Sequence, residues 1–367
     1  MSEATEFVRT LIEKMKEHGD PPALERGPAP SERPPDSVPA NIDGYHFLDY
    51  QDHEHVFWYT EYWYFAFLDE RSGYSVTVGH SVFNPKNELD LGKCGTVVVV
   101  HRPDGDAISQ FDLYPVGDFS ASVEKADVHV GPNSVVAETP ERYRLRASTK
   151  DQPAVEVDVT FQQADAPRYL SQAVQGSKSW AFNSWVVYMP SARVTGTISI
   201  DGAVIPIDGN GYHDHSWGIW LLPARTWMWG VFCDPDEHVA CLLGHDTAFY
   251  IDDAYLQIGD LNLRFPQAKM VWGKYDYHHW KLLYKYPTRV TFESEDTNGD
   301  YRLVCEWTVT HNAVIWKAPA VIFEQAARFR GALFKKDPQA NGGWAEIRQL
   351  DYEGHSEYVD TWWGKGD

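Results

Sequence analysis

Cysteine is scarce: Cys94, Cys233, Cys241 and Cys305 lie far apart, with no C-x-x-C pair among them. This excludes a disulfide scaffold and a cysteine zinc site, and it leaves free thiols. Positive charge is scarce as well. Lys and Arg number 32 against 53 Asp and Glu, a formal net charge of −21 that repels phosphate backbones and anionic headgroups. Nucleic acid and stable membrane insertion are therefore excluded as expected partners. No run approaches the roughly 18 apolar residues of a spanning helix. The opening MSEATEF lacks the basic-then-apolar layout of a signal peptide, so a cytoplasmic location is the default expectation. Also missing are G-x-G-x-x-G, G-x-x-x-x-G-K-[ST], G-x-S-x-G and the kinase set, which removes the usual warrants for nucleotide-dependent redox, phosphoryl transfer and α/β-hydrolase chemistry.

Aromatic residues are abundant: 15 Trp, 20 Tyr and 17 Phe make up 14% of a chain that is 43% hydrophobic. Length alone gives a prior of roughly two domains. Phe7, Val8, Leu11, Ile12 and Met15 stand at helical spacing and predict a short N-terminal helix. Seven prolines between Pro21 and Pro39 follow it and favour an extended strap, so residues 1–40 are read as helix plus strap. From residue 41 the period changes to two. Strands are predicted over residues 60–68, 74–78, 96–101, 143–147, 155–161, 194–200, 226–232, 238–243, 261–265, 289–292 and 301–310. So many short strands with polar turns between them indicate an all-β architecture of barrels or sandwiches. Ile322, Ala326, Phe329 and Leu333 recur at helical spacing and predict one C-terminal helix over 319–335, with a closing strand over 343–350. The expected domains are 41–175 and 176–367, the second carrying the motif described next.

The densest chemical constellation runs from Asp208 to Gly218, through Gly209-Asn210-Gly211-Tyr212-His213-Asp214-His215-Ser216-Trp217. On a strand, His213, His215 and Trp217 point one way and Tyr212, Asp214 and Ser216 the other. A carboxyl enclosed by rings is desolvated and favours its neutral acid form. Such an acid can protonate an alkene, and indole and phenol faces stabilise the resulting carbocation. A structural alternative has Asp214 capping a turn while His213 and His215 satisfy buried carbonyls. A metal reading of His213-x-His215, with His53, His55, His278 or His279 as further ligands, ranks below both because nothing fixes those residues near one another.

Glu61-Tyr62-Trp63-Tyr64 is the second constellation: Glu61 and Trp63 share one strand face, Tyr62 and Tyr64 the other. Glu61 is read either as an acid, base or orienting group at the rim of an aromatic cavity, or as the partner of a cation beside a core Trp63. Trp180, Trp185, Trp217, Trp227 and Trp229 supply candidate cavity walls, with Asn183, Ser184 and Arg225 placed among them to orient a substrate oxygen.

Gly209-Asn210-Gly211-Tyr212-His213-Asp214-His215-Ser216-Trp217-Gly218 closely resembles the G-x-G-Y-H-D-H-x-W-G motif of the carotenoid 1,2-hydratase (hydroxyneurosporene synthase) and AttH family. That family is related to kievitone hydratase and to lipocalin-like Diels–Alderases. Glu61-Tyr62-Trp63-Tyr64 is similar to its E-W-W-Y strand, with Tyr62 in place of the more usual Trp. The resemblance spans roughly residues 41–350. It implies two lipocalin-like antiparallel barrels, on a scaffold associated with hydration, cyclisation and pericyclic chemistry. Residues and resemblance together lead to the expectation of a cofactor-free, metal-free enzyme acting on a hydrophobic polyene, isoprenoid or prenylated substrate. Asp214 is its proton donor, His213 and His215 tune and orient that acid, and Glu61 stands near it. A Diels–Alderase-type pericyclase and a carrier of a lipid or pigment are the alternatives, and the sequence leaves the oligomeric state open.

Overall fold

Alternation of apolar and polar side chains carries most of the described residues into antiparallel strands. The computed structural model describes residues 10, 39, 41–166, 168–174, 182–219, 227–246, 251–266, 269–277, 285–315 and 320–361. The first sheet has twelve strands: β1 (Tyr59–Asp69), β2 (Tyr74–Phe83), β3 (Lys93–His101), β4 (Ala107–Pro115), β5 (Phe119–Ala121), β6 (Asp127–Val130), β7 (Asn133–Thr139), β8 (Arg142–Ser148), β9 (Val155–Gln163), β10 (Arg168–Val174), β11 (Phe182–Ile200) and β12 (Ala203–Ile219). Its order is β4-β3-β2-β1-β12-β11-β9-β8-β7-β6-β5, with β10 branching from β11, and it curls into a nearly closed barrel. β9 shows the rule that builds it: Val155, Val157, Val159 and Phe161 are buried while the residues between them are more exposed. Residues 41–58 include two short 3-10 turns and add Ile42, Phe47, Val56, Phe57 and Trp58 to the core of this barrel.

The second sheet takes β13 (Trp227–Asp234), β14 (Val239–Asp246), β15 (Ile251–Ile258), β16 (Leu261–Phe265), β17 (Lys269–Trp272), β20 (Arg289–Glu295), β21 (Tyr301–Val314), β22 (Ala320–Lys336) and β23 (Trp344–Thr361). The order is β16-β15-β14-β13-β23-β22-β21-β20-β17, and β18 (Tyr275–Tyr277) pairs with β19 (Lys285–Pro287) apart from it. Its core is separate from the barrel's and includes Phe232, Phe265, Phe292, Trp307, Phe323 and Phe329. A third, smaller cluster lies where the two sheets meet: Tyr64, Ala66, Val187, Tyr212, Trp229, Val231, Leu242 and Tyr255. Among the described residues no helix is long and apolar enough to cross a membrane.

Two expectations are corrected. The predicted C-terminal helix is the strand β22, hydrogen-bonded along its length to β21 on one side and β23 on the other. The helical spacing of Ile322, Ala326, Phe329 and Leu333 overlies a period-two pattern in which Val321, Phe323, Ala327, Phe329 and Leu333 are buried. Pairing on both edges outweighs the helix propensity of an Ala- and Arg-rich segment. The second correction concerns the domain division at residue 175. β11 and β12 belong to the first sheet, because β12 is the strand that joins β1 to β11, so the motif strand lies in the first barrel and the chain enters the second sheet after Ile219. The expected N-terminal helix and proline strap lie outside the described residues except for Thr10, which is helical, and Pro39.

Candidate functional site

The motif strand owes its position to close backbone packing. A Cβ at Gly209 would lie 2.1 Å from the carbonyl oxygen of Leu68, so only glycine lets β12 approach β1 there. The register then sets Phe65 opposite His213, Tyr64 opposite Asp214, Trp63 opposite His215 and Tyr62 opposite Ser216. Alternation divides these residues between two environments. Glu61, Trp63, Phe65, His213, His215 and Trp217 face the barrel interior, whereas Tyr62, Tyr64, Tyr212, Asp214 and Ser216 face the second sheet.

Inside the barrel the polar groups gather into one cluster, with His213 and His215 both fully buried. Asp43, carried in by residues 41–58, meets His213 Nε2 at 3.0 Å and His215 Nδ1 at 3.3 Å. His213 Nδ1 lies 2.9 Å from the Tyr64 carbonyl oxygen, and His215 Nε2 lies 2.9 Å from Glu61 Oε1. Glu61 also accepts the Tyr59 hydroxyl at 2.6 Å and the His46 backbone N–H at 3.0 and 3.2 Å. Rings close the cluster: Phe65 stacks on His213 at 4.0 Å, Trp63 on His215 at 4.5 Å and His46 on Trp217 at 3.8 Å. Burial alone would lower the pKa of His215, but its bonds to Asp43 and Glu61 reverse this and raise it to about 9. Burial would raise that of Asp43, and the two histidines instead hold it well below the usual carboxylate range.

His46, Glu61 and His215 bring three ligand-type atoms within 4.8 Å of one another, the grouping here closest to a metal site. Glu61 and His215 are already committed to each other and to Tyr59 and the His46 backbone, and His215 Nδ1 faces Asp43 Oδ1 as an ion pair at 3.3 Å.

The other face of β12 looks into the seam between the sheets. Asp214 is 3% exposed, and its Oδ2 accepts the Tyr212 hydroxyl at 2.7 Å. Its Oδ1 is buried and has no hydrogen-bond partner among the described residues. Burial raises its pKa to about 7, against the opposing pull of the Tyr212 hydroxyl, of His213 across the strand and of the Trp185 indole alongside. Tyr212 stacks on Trp229 at 5.7 Å, and Trp229 meets Tyr64 edge-on at 5.3 Å. The Tyr64 hydroxyl reaches across the seam and donates to Glu324 Oε2 at 2.8 Å. Glu324 stands directly opposite Glu357 on β22 and β23, and Glu357 Oε1 accepts the indole N–H of Trp229 at 3.1 Å and that of Trp227. Asn183 accepts the Ser216 hydroxyl at 2.8 Å on the same side. Apolar residues complete a recess beside Tyr212, among them Val187, Pro190, Val231, Leu242 and Tyr255. Tyr62, Trp185 and Trp227 are only half-buried and mark the edge at which the seam approaches solvent.

A family model, described as a domain of unknown function (DUF7064), matches residues 48–263, more than half of the chain. The chain belongs to the DUF7064 family. Among solved structures this DUF7064 member is similar to the AttH-type protein of Nitrosomonas europaea, with a TM-score of 0.66 at 16% identity over 91% of this chain and 98% of that one. Kievitone hydratase from Nectria haematococca aligns with a TM-score of 0.59 at 14% identity, over 92% of this chain and 96% of that one. The fold is thus the two-barrel, lipocalin-like one that the motif resemblance implied. No curated protein sequence matches.

In the DUF7064 chain the sequence-predicted site residues separate into two groups. Tyr64, Asn183, Trp185, Tyr212, Asp214, Trp227 and Trp229 gather at the seam. Glu61, Trp63, His213, His215 and Trp217 are barrel core, so Glu61 is not at a cavity rim but pairs with the cationic His215, the second of the two roles weighed for it. Trp180 and Arg225 lie outside the described residues, as do His278 and His279. Sequence reasoning missed Asp43, His46 and Tyr59 inside the barrel and Glu324 and Glu357 at the seam. The one available signal for Glu357 was the period-two pattern of His355, Glu357 and Val359, lying just beyond the predicted closing strand.

Proposed function

We propose that this DUF7064 protein is an enzyme that adds a proton to an alkene of a hydrophobic, isoprenoid or polyene-like substrate held in the seam, giving hydration or cyclisation. The observation that carries this reading is Asp214. It is buried among rings and protonated up to about pH 7, and one carboxyl oxygen is left without a partner. Tyr212 fixes the other oxygen, which leaves Oδ1, with the Trp185 indole alongside, as the oxygen to meet a substrate carbon. The Asp214 O–H bond breaks, the alkene π pair forms the new C–H bond, and the second alkene carbon becomes cationic. A water molecule then forms the C–O bond and gives up a proton, restoring the acid, or a second alkene of the same chain captures the cation and closes a ring, after which a proton lost from the carbon beside the new cation leaves an alkene and returns to the Asp214 carboxylate.

Trp185, Trp227, Trp229, Tyr64 and Tyr212 fold the apolar chain and stabilise the positive charge, while Asn183 with Ser216 offers a polar pair to a substrate oxygen. His213, His215 and Glu61 act from the barrel side by holding β1 and β12 in register. The hydratase among the structural neighbours makes hydration the first chemistry to test.

The test is incubation with a panel of prenylated and polyene compounds in D2O. Wild type is expected to place one deuterium at an alkene carbon per turnover, and Asp214→Asn to lower the rate about 10²-fold or more. Full turnover by a folded Asp214→Asn protein sinks the acid role. A rate independent of pH, with no deuterium uptake, favours the pericyclic reading, and return of every ligand unchanged favours a carrier.

A further inference from the structure

The acid chemistry of Asp214 makes no use of Glu324 and Glu357, although both are buried, at 1% and 9% exposure. They stand directly opposite each other on β22 and β23, and burial together with the facing Glu357 pushes the Glu324 carboxyl well above the usual carboxylate range. Two facing buried carboxyl groups cannot both be ionised without great cost, so the pair holds at most one negative charge. Their donors among the described residues are neutral: the Tyr64 hydroxyl at 2.8 Å, the Thr77 hydroxyl at 3.5 Å and the two indole N–H groups. Among the described residues no Lys or Arg makes an ion pair or hydrogen bond with either carboxyl. The imidazoles nearest in the strands, His355 two residues from Glu357 and His101 against the Glu324 backbone, are pushed by burial to about 4 and about 3, so both are neutral at pH 7.

A buried charge without a counter-charge is costly, and hydrogen bonds from neutral donors offset only part of that cost. Here it is also set among rings, with Trp229 and Tyr64 in contact with both the pair and one another. Carboxylate and aromatic faces together are the surroundings that attract an organic cation. The partnerless Oδ1 of Asp214 belongs to the same seam, its strand register being directly opposite Tyr64.

We infer that the Glu324–Glu357 pair is a subsite for positive charge, completed by a cationic centre on the bound molecule: a carbocation formed in the reaction or a permanent alkylammonium group. The inference rests on the seam being the ligand site. It goes beyond the acid role of Asp214 by assigning a charge to what the seam holds and by naming the groups that recognise it.

The test needs no knowledge of the natural substrate. Binding of decyltrimethylammonium, 1-decanol and decanoate, each below its aggregation concentration, is followed by tryptophan fluorescence and calorimetry on the full chain. Wild type is expected to bind the ammonium probe at least tenfold more tightly than the alcohol and to reject the carboxylate. Glu357→Gln and Glu324→Gln, each checked for native circular dichroism, are expected to lose that preference. Equal affinity of wild type for the ammonium and the alcohol overturns the subsite while leaving the seam as the ligand site. A preference that survives in both Glu variants also overturns it, since it then reflects the general negative charge of the surface. Failure of every probe to quench the seam tryptophans removes the seam reading itself. Loss of turnover in Asp214→Asn is scored separately, so the acid role and the charge subsite can fail independently.

Discussion

Asp214 is held at a working protonation state by two opposed influences, and one of them can be removed on its own. Burial raises its pKa, and the hydroxyl of Tyr212 is the strongest of the groups that lower it again. Tyr212→Phe deletes that hydroxyl while keeping the ring that stacks on Trp229. The expected result is a pH–rate profile whose fall on the alkaline side, near pH 7 in wild type, moves to higher pH in the variant. A profile that stays in place would show that Asp214 is not the group being titrated. At this scale the sequence was informative where chemistry follows from alternation: the split of Tyr212, Asp214 and Ser216 from His213, His215 and Trp217 is legible from period two alone. Which half is packed into the barrel core is not legible, because it depends on Asp43 entering the barrel from residues 41–58 to bridge the two histidines. Glu324 and Glu357 were invisible for a related reason: nothing local brings them beside Tyr64, which is 260 residues from Glu324 in sequence.

Elements were legible where the strand signal was local and not where long-range pairing decided the outcome. The alternation in β9 and the aromatic run of β1 predict strands that the structure contains. β22 was misread because Ala, Arg, Gln and Leu suit a helix as well as they suit a strand paired on both edges. β12 gives the element-scale prediction. At Gly209 a Cβ would press on the Leu68 carbonyl oxygen at 2.1 Å and the Asp69 Cα at 2.9 Å, both of them backbone atoms of β1 that no rotamer change can move aside. Gly209→Ala is expected to lower stability by about 1–3 kcal/mol in urea denaturation. It should also reduce turnover, by displacing the strand that carries Asp214. Gly117, where a Cβ meets nothing within 4 Å, is the control, and Gly117→Ala is expected to be near neutral. Equal effects from the two substitutions would show that the β1–β12 approach is not what fixes the motif.

The fold places a buried cation, His215, in the barrel and several buried acids around the seam, and together they set the sign of its pH dependence. His215 is raised from 6.5 to about 9 in the folded state, so the stability it contributes is fully present below pH 6.5 and is lost as pH rises through 9. Asp214 is raised from 3.8 to about 7, and its favourable contribution is likewise present below pH 3.8 and lost as pH rises through 7. Glu324 is raised in the same direction, by burial and by the facing Glu357. Asp43 is lowered, so its contribution is present above pH 3.8 and fades only in stronger acid. The sum is a protein most stable on the acid side of neutrality. Across pH 6.5–9 the His215 shift amounts to a loss of about 3 kcal/mol. A net charge of −21 at pH 7 adds self-repulsion of the same sign, so the slope alone does not assign the effect. His215→Gln separates the two. It leaves the surface charge essentially intact but removes the cation between Asp43 and Glu61, so stability at pH 6 should fall by about 3–5 kcal/mol, and the decline between pH 6.5 and 9 should shrink. Urea midpoints at pH 6, 7.5 and 9 for both proteins decide the matter: an undiminished decline in a folded variant would assign the alkaline loss to surface repulsion and remove His215 as the cation that binds the barrel core together.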